Sequence, residues 1–252
     1  MSTRWHIGAK DLRGAIAAYA KRFDLLEVRV ELDDLGAHEA SAPSPTLATL
    51  RRWRKSVPPH FDFAVVAGKH LSKVKGSAAA DRELEAARAA IDALQARCFV
   101  LRTPPDVTPT SLWRDRIAKV VGKFPNDVTR VVWEPSGVWE NEDAAAQARS
   151  WDAVLAVDPT KEAVPAGPVA YVRLRALGGT RSFGATVLGR VVDAVNERGE
   201  RREVFAIIET DSALAEAKRL RGLVQASRSG PRPPSRLVRP RGGIVVRDDE
   251  QE

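Results

Sequence analysis

The chain has 252 residues, a net charge of +7, an isoelectric point near 9.8 and one cysteine, Cys98. A chain this long can bury a sizeable core without metal or disulfide staples, and a single cysteine excludes an intramolecular bridge. The start, residues 1–6, lacks the apolar run of a signal peptide, and no stretch approaches membrane-spanning length. Together with the lone cysteine this predicts a soluble protein of a reducing compartment, hence cytoplasmic.

Taken in chain order, strand-like β-branched or aromatic runs occur at 5–9, 25–30, 61–66, 98–101, 128–133, 153–157, 169–174 and 204–208. Ala- and Leu-rich amphipathic stretches of helix length occupy most of the gaps, with the crossover between the sixth and seventh runs reduced. A strand–helix unit repeated about eight times predicts a parallel sheet coated by helices, closed as a (β/α)8 TIM-type barrel. Charges of both signs are mixed along the helices, as in residues 81–88, so an ordinary solvated surface is favoured over a concentrated nucleic-acid stripe.

The composition changes after Val224. Residues 227–236 carry Pro and Gly too densely for a helix or a central strand. The expected division is therefore a barrel over 1–226 and a Pro/Arg-rich, disordered tail over 227–252. That tail holds a short apolar run at 244–246 and an acidic end at 248–252. It could serve as a basic arm for nucleic acid, or dock residues 244–246 on the barrel.

Successive side chains on a strand point to opposite faces. In the second run Leu26, Val28, Val30 and Leu32 form an apolar set, which leaves Glu27, Arg29 and Glu31 pointing toward the barrel axis. In the fifth, Val131 and Trp133 face out while Arg130, Val132 and Glu134 face in. In the seventh, Ala170, Val172, Leu174 and Ala176 face out while Tyr171, Arg173 and Arg175 face in. Buried parallel strands normally read as near-continuous apolar runs, so these inward charges need a reason. One reason is a set of Glu–Arg pairs filling the core, which nearly balanced signs would allow. The other is a ligand site, because Arg29, Glu31, Arg102, Glu134, Asp158, Arg175, Glu209 and Asp211 all fall near strand ends, where barrel sites are built. Several arginines there would suit a phosphate or carboxylate.

The usual catalytic signals are weak. His6, His38, His60 and His70 have no metal-ligand spacing, and there is no GxSxG, CxxC or Walker loop. No metal or cofactor is expected. Residues 177–180, Leu-Gly-Gly-Thr, read as a loop turn at a position where many barrels hold phosphate. Trp53 and Trp113 belong to helical faces and to the core, and Trp139 caps or plugs the barrel mouth.

The order of short motifs resembles the YecE-like family, domain of unknown function 72, whose members fold as eight-stranded α/β barrels. The resemblance rests on Ile7-Gly8, Leu26-Glu27-Val28, Leu50 through Trp53, Pro59 through Phe63, Leu101 through Pro105, Glu134 with Trp139, Tyr171 through Leu174, and Ala213 with Glu216, Ala217 and Leu220. Against the family pattern, Arg29 stands for an Asn, Val66 for a Lys, Ser72-Lys73 for Thr-His, Arg102 for a Gln, Arg175-Ala176 for His-Gly and Glu209-Thr210 for an Asn pair. The Arg-His after the strand-five Glu is missing. Scaffold positions persist while polar rim positions differ, which implies a divergent member with a changed or silent site. Three functions are therefore weighed: a barrel binding a small anion through Glu27, Arg29, Arg102, Glu134, Arg173 and Arg175; a hydrolase- or isomerase-type enzyme using Glu134 or Glu209 as acid/base; and a nucleic-acid-associated protein.

Overall fold

The computed structural model describes residues 3–10, 12, 14–30, 44–124, 129–176, 182–199 and 201–229. The strands are β1 (Arg4–Ala9), β2 (Leu25–Arg29), β3 (Asp62–Val66), β4 (Cys98–Arg102), β5 (Arg130–Glu134), β6 (Val154–Val157), β7 (Val169–Arg175) and β8 (Glu203–Glu209). All pair in parallel and in sequence order, and β8 pairs with β1 to close the barrel. The helices are α1 (Ile16–Tyr19), α2 (Leu47–Ser56), α3 (Lys69–Ser72), α4 (Ala78–Leu94), α5 (Ser111–Val121), α6 (Asn141–Ser150), α7 (Ala185–Glu197) and α8 (Ala213–Ser229). The fold is the expected (β/α)8 TIM-type barrel.

Alternation along the strands divides the core in two. Leu26, Val28, Val131, Trp133, Ala170, Val172 and Leu174 pack outward against the helices. Leu25, Ala64, Cys98, Val100, Val132, Ala156, Tyr171, Phe205 and Ile207 form a separate cluster inside the barrel. Gly8 marks where the wall is tightest. A Cβ there would lie 2.4 Å from the backbone oxygen of Leu25, its ladder partner, so β1 and β2 approach this closely only because position 8 has no side chain.

Helix α4 illustrates the coat. The Ser77 side chain accepts from the Ala80 N–H at 3.1 Å to start it, and Gln95 in the left-handed region ends it. Ala80, Ala87, Ala90, Ile91 and Leu94 form its buried stripe. Arg88 and Glu85 pair on the surface at 2.9 Å. Glu83, expected on that solvated face, is instead buried and accepts from the Leu71 N–H at 2.7 Å, holding the start of α3 beneath Gly68.

The crossover from β6 to β7 contains no helix. Val164 fills part of the vacated space with 2% exposure. Arg201, also buried, staples the strap by donating to Pro165 O at 2.8 Å, Gly167 O at 3.2 Å and Val195 O at 2.6 Å. Helix α8 continues to Ser229, so residues 227–229, expected to be irregular, are helical. The rest of the tail, with Glu31, Leu32, His38, Val128 and residues 177–180, lies outside the described residues. No described helix is long and apolar enough to cross a membrane.

Candidate functional site at the barrel mouth

Strand β7 supplies the centre of the site. Its inward residues Tyr171, Arg173 and Arg175 climb toward the C-terminal mouth, as the alternation predicts. The ladders then fix their neighbours, Arg175 beside Glu209 and Arg102 beside Glu134.

Arg173 is the hub, with 2% of its side chain exposed. Its Nη2 and Nη1 donate to the two oxygens of Glu27 at 2.5 and 2.8 Å. Nη1 also donates to Glu209 Oε1 at 2.7 Å, and Nε to Glu134 Oε2 at 3.0 Å. The planar fork thus engages three carboxylates at once, a task lysine's point charge could not perform with this geometry. Arg175 closes the ring, donating through Nε to Glu209 Oε2 at 3.2 Å and through Nη2 to Glu134 Oε1. Tyr171 lies below and donates its hydroxyl to Glu27 Oε1 at 2.5 Å. With Arg102, whose Nε lies 3.4 Å from Glu134 Oε2, the mouth holds three arginines and three glutamates in balance. Such balance is the condition for ions to remain in a poorly solvated interior.

Burial raises the Glu27 carboxyl, but the Arg173 charge and hydrogen bonds, the Tyr171 hydroxyl and Arg102 outweigh it and hold the group below its ordinary value. Burial and the adjacent Glu27 charge push the Tyr171 phenol well up, so it stays a donor. Burial disfavours the Arg173 cation, yet Glu27 and Glu134 more than restore it.

Arg102 differs. Its side chain is 28% exposed, and it makes no hydrogen bond among the described residues. Partial burial, opposed by Glu134 and reinforced by repulsion from Arg173 and Arg175, lowers its pKa. It is the under-compensated cation of the mouth.

Of the expected site residues, Glu27, Arg102, Glu134, Arg173 and Arg175 come together. Arg29 is exposed at the end of β2 and is none of the three guanidinium groups of this network. Glu209, expected as a possible acid/base, joins as a clamp for both Arg173 and Arg175. Asp158 closes its own turn, accepting from the Thr160 N–H at 3.0 Å and hydroxyl at 2.7 Å, and Asp211 is exposed. Trp139 anchors the rim loop by donating Nε1 to Val107 O at 2.7 Å, and packs edge-on against Trp133.

Sequence reasoning missed a second polar plug at the opposite, N-terminal end of the barrel. Buried His6 contacts Asp62 through Nδ1, and its Nε2 lies 3.6 Å from Glu203. Arg97 donates to Glu203 at 2.5 Å, and Arg130 approaches it at 3.5 Å. Asp62, Arg130 and Glu203 begin their strands, Arg97 precedes β4 and His6 lies within β1; the inward alternation of Arg130 is the sequence signal for this end. Among the described residues no group of three His, Cys, Asp or Glu side chains is arranged to hold a metal ion.

An eight-stranded parallel α/β barrel with a paired-charge array at its C-terminal mouth is the class that this geometry defines. Within that class, the pattern of the family described as protein of unknown function DUF72 matches residues 7–239, and the chain belongs to this family. Among solved structures it is similar to a DUF72 family protein from Enterococcus faecalis V583, at 16% identity and a TM-score of 0.69, covering 88% of this chain and 98% of that one. It is also similar to a DUF72 family protein from Thermotoga maritima MSB8, at 12% identity and a TM-score of 0.64, covering 88% and 99%. A xylose isomerase domain containing protein from Salmonella typhimurium LT2 shares the fold at 16% identity and a TM-score of 0.55, covering 90% and 96%. No curated protein matches.

Proposed function

We propose that this barrel binds a small anionic ligand, bearing a phosphate or carboxylate, at its C-terminal mouth, with Arg102 and Arg175 as the contacting cations. The observation that carries the reading is Arg102, part-exposed, without a hydrogen bond among the described residues and repelled by two other arginines. An anion placed against it would gain a charge-assisted contact and relieve that repulsion. Arg173 has the opposite role. Saturated by Glu27, Glu134 and Glu209, it organises the floor beneath the ligand. Both oxygens of Glu134 and of Glu209 already accept from arginine N–H groups. That is a clamp's geometry, and it favours binding over acid–base catalysis by these carboxylates.

The test is thermal unfolding with inorganic phosphate and with di- and tricarboxylates. Saturable stabilisation is expected, reaching about 2.7 kcal/mol at a hundredfold excess over Kd. Arg102→Gln should weaken it about tenfold or more, equivalent to about 1.4 kcal/mol. Absence of any stabilisation, or an equal response in Arg102→Gln, would reject the reading. A turnover of such compounds that Glu134→Gln abolishes would replace it with catalysis.

A further inference from the structure

In a barrel of parallel strands, strand starts and helix ends share the face opposite the mouth. There the fold gathers cations that lie far apart in the sequence. Arg221 of α8 donates to Arg22 O at 2.7 Å and to Asp24 Oδ2 at 2.8 Å, which ties α8 to the loop before β2. Arg4, at the start of β1, donates to His60 O at 3.3 Å, in the loop that follows α2 and Lys55. Arg4, Arg221 and Arg228 line one cleft of about 340 Å³ with Trp5 and Asp24. The result is an arc of Arg4, Lys21, Arg22, Lys55, Arg221 and Arg228. Asp24 is the carboxylate of that cleft, and Arg221 and the Ile7 N–H already hold it. Arg4, Lys21, Arg22, Lys55 and Arg228 are exposed and have no carboxylate partner among the described residues. Several cations elsewhere on the coat are paired, as Arg88 with Glu85, Arg114 with Asp143 and Lys75 with Asp106. The dipole of α8 accounts for Arg228 in its last turn, but not for Arg4 at the start of a strand.

We propose that this arc binds the phosphodiester backbone of a nucleic acid, independently of base sequence. Guanidinium and ammonium groups without carboxylate partners exchange their small counterions for phosphates, and such contacts hold a strand without reading its bases. A protein partner fits the same face poorly. Stable protein interfaces are anchored at their centre by large apolar or aromatic side chains. The exposed large apolar side chains among the described residues are Leu47, Leu112, Val138 and Leu214. All four lie at a helix start or in a loop after a strand, on the mouth side. The arc offers charge without such an anchor. It is also distinct from the mouth, where three glutamates balance the three arginines.

The test is fluorescence anisotropy of the full-length chain with a short labelled DNA duplex over a range of salt concentrations. Binding should weaken as salt rises, and the slope of log Kd against log salt counts the phosphates contacted, about 0.9 for each. Arg4→Gln/Arg228→Gln should weaken binding severalfold for every duplex sequence and lower that slope by about two. Both residues are exposed, so the melting temperature should stay at the parent value. Control pairs locate the effect: Lys119→Gln/Lys123→Gln in the cleft beside α5, and Arg239→Gln/Arg241→Gln in the C-terminal segment. Each should leave the slope unchanged. No binding at low salt, an unchanged slope in Arg4→Gln/Arg228→Gln, or a slope lost through either control pair would overturn the assignment. Polyglutamate that displaces the duplex as well as unlabelled DNA does would overturn the choice of nucleic acid and give the arc to an acidic protein segment. Equal displacement by phosphatidylserine vesicles would give it to a membrane surface instead.

Discussion

Tyr171 and Arg173 stand two residues apart on β7 and share one partner, Glu27. Arg173 reaches two further carboxylates, whereas Tyr171 reaches Glu27 alone. Tyr171→Phe removes a donor to an ionised, buried acceptor, and urea unfolding should show a loss of about 1.5–3 kcal/mol. The same carboxylate sets an acid limit. Glu27 titrates lower in the folded chain than in the unfolded one. The folded state therefore binds fewer protons as pH falls below about 4.3, the ordinary glutamate value, and stability contributed by Glu27 is present above that pH. It is lost progressively as pH drops toward the depressed folded value. Glu27→Gln should flatten this part of the stability profile, and an unchanged acid slope would show that Glu27 does not carry it.

At the scale of elements, β1 and β2 depend on Gly8. Adding a Cβ would drive it into the Leu25 backbone, which cannot rotate away as a flexible side chain would. Gly8→Ala should cost about 1–3 kcal/mol, measured by denaturant unfolding; a neutral result would mean the β1–β2 ladder shifts freely. The elements were largely legible in advance, because the period of two in residues 169–175 is a property of the chain itself and already turns Tyr171, Arg173 and Arg175 inward. The partners were less legible. Whether Arg173 meets Glu27, across the barrel, depends on closure and strand stagger, which no local pattern encodes. Asp62 and Glu203 were missed because a single carboxylate at the first position of a strand reads equally as part of the preceding loop, and His6, inside β1, has no sequence spacing that points to a partner. Glu83 was misplaced because its neighbours Asp81 and Glu85 are surface residues and charge type alone does not distinguish them.

For the whole molecule, the barrel interior is an apolar belt between two charged plugs. The N-terminal plug pairs His6, Asp62, Glu203, Arg97 and Arg130, and the mouth pairs Arg102, Arg173 and Arg175 with Glu27, Glu134 and Glu209. The mouth combines a closed part, centred on Arg173, with an open part at Arg102. The direct measurement is the unfolding free energy of Arg173→Met and Arg102→Gln against the parent chain, with and without phosphate. Arg173→Met should strand buried carboxylates and lose about 3–5 kcal/mol in both conditions. Arg102→Gln should lose about 1 kcal/mol or less without phosphate, and should no longer gain the stabilisation that phosphate gives the parent. Equal costs for the two substitutions, or full phosphate stabilisation retained in Arg102→Gln, would contradict the division of the mouth into a clamp and an anion contact.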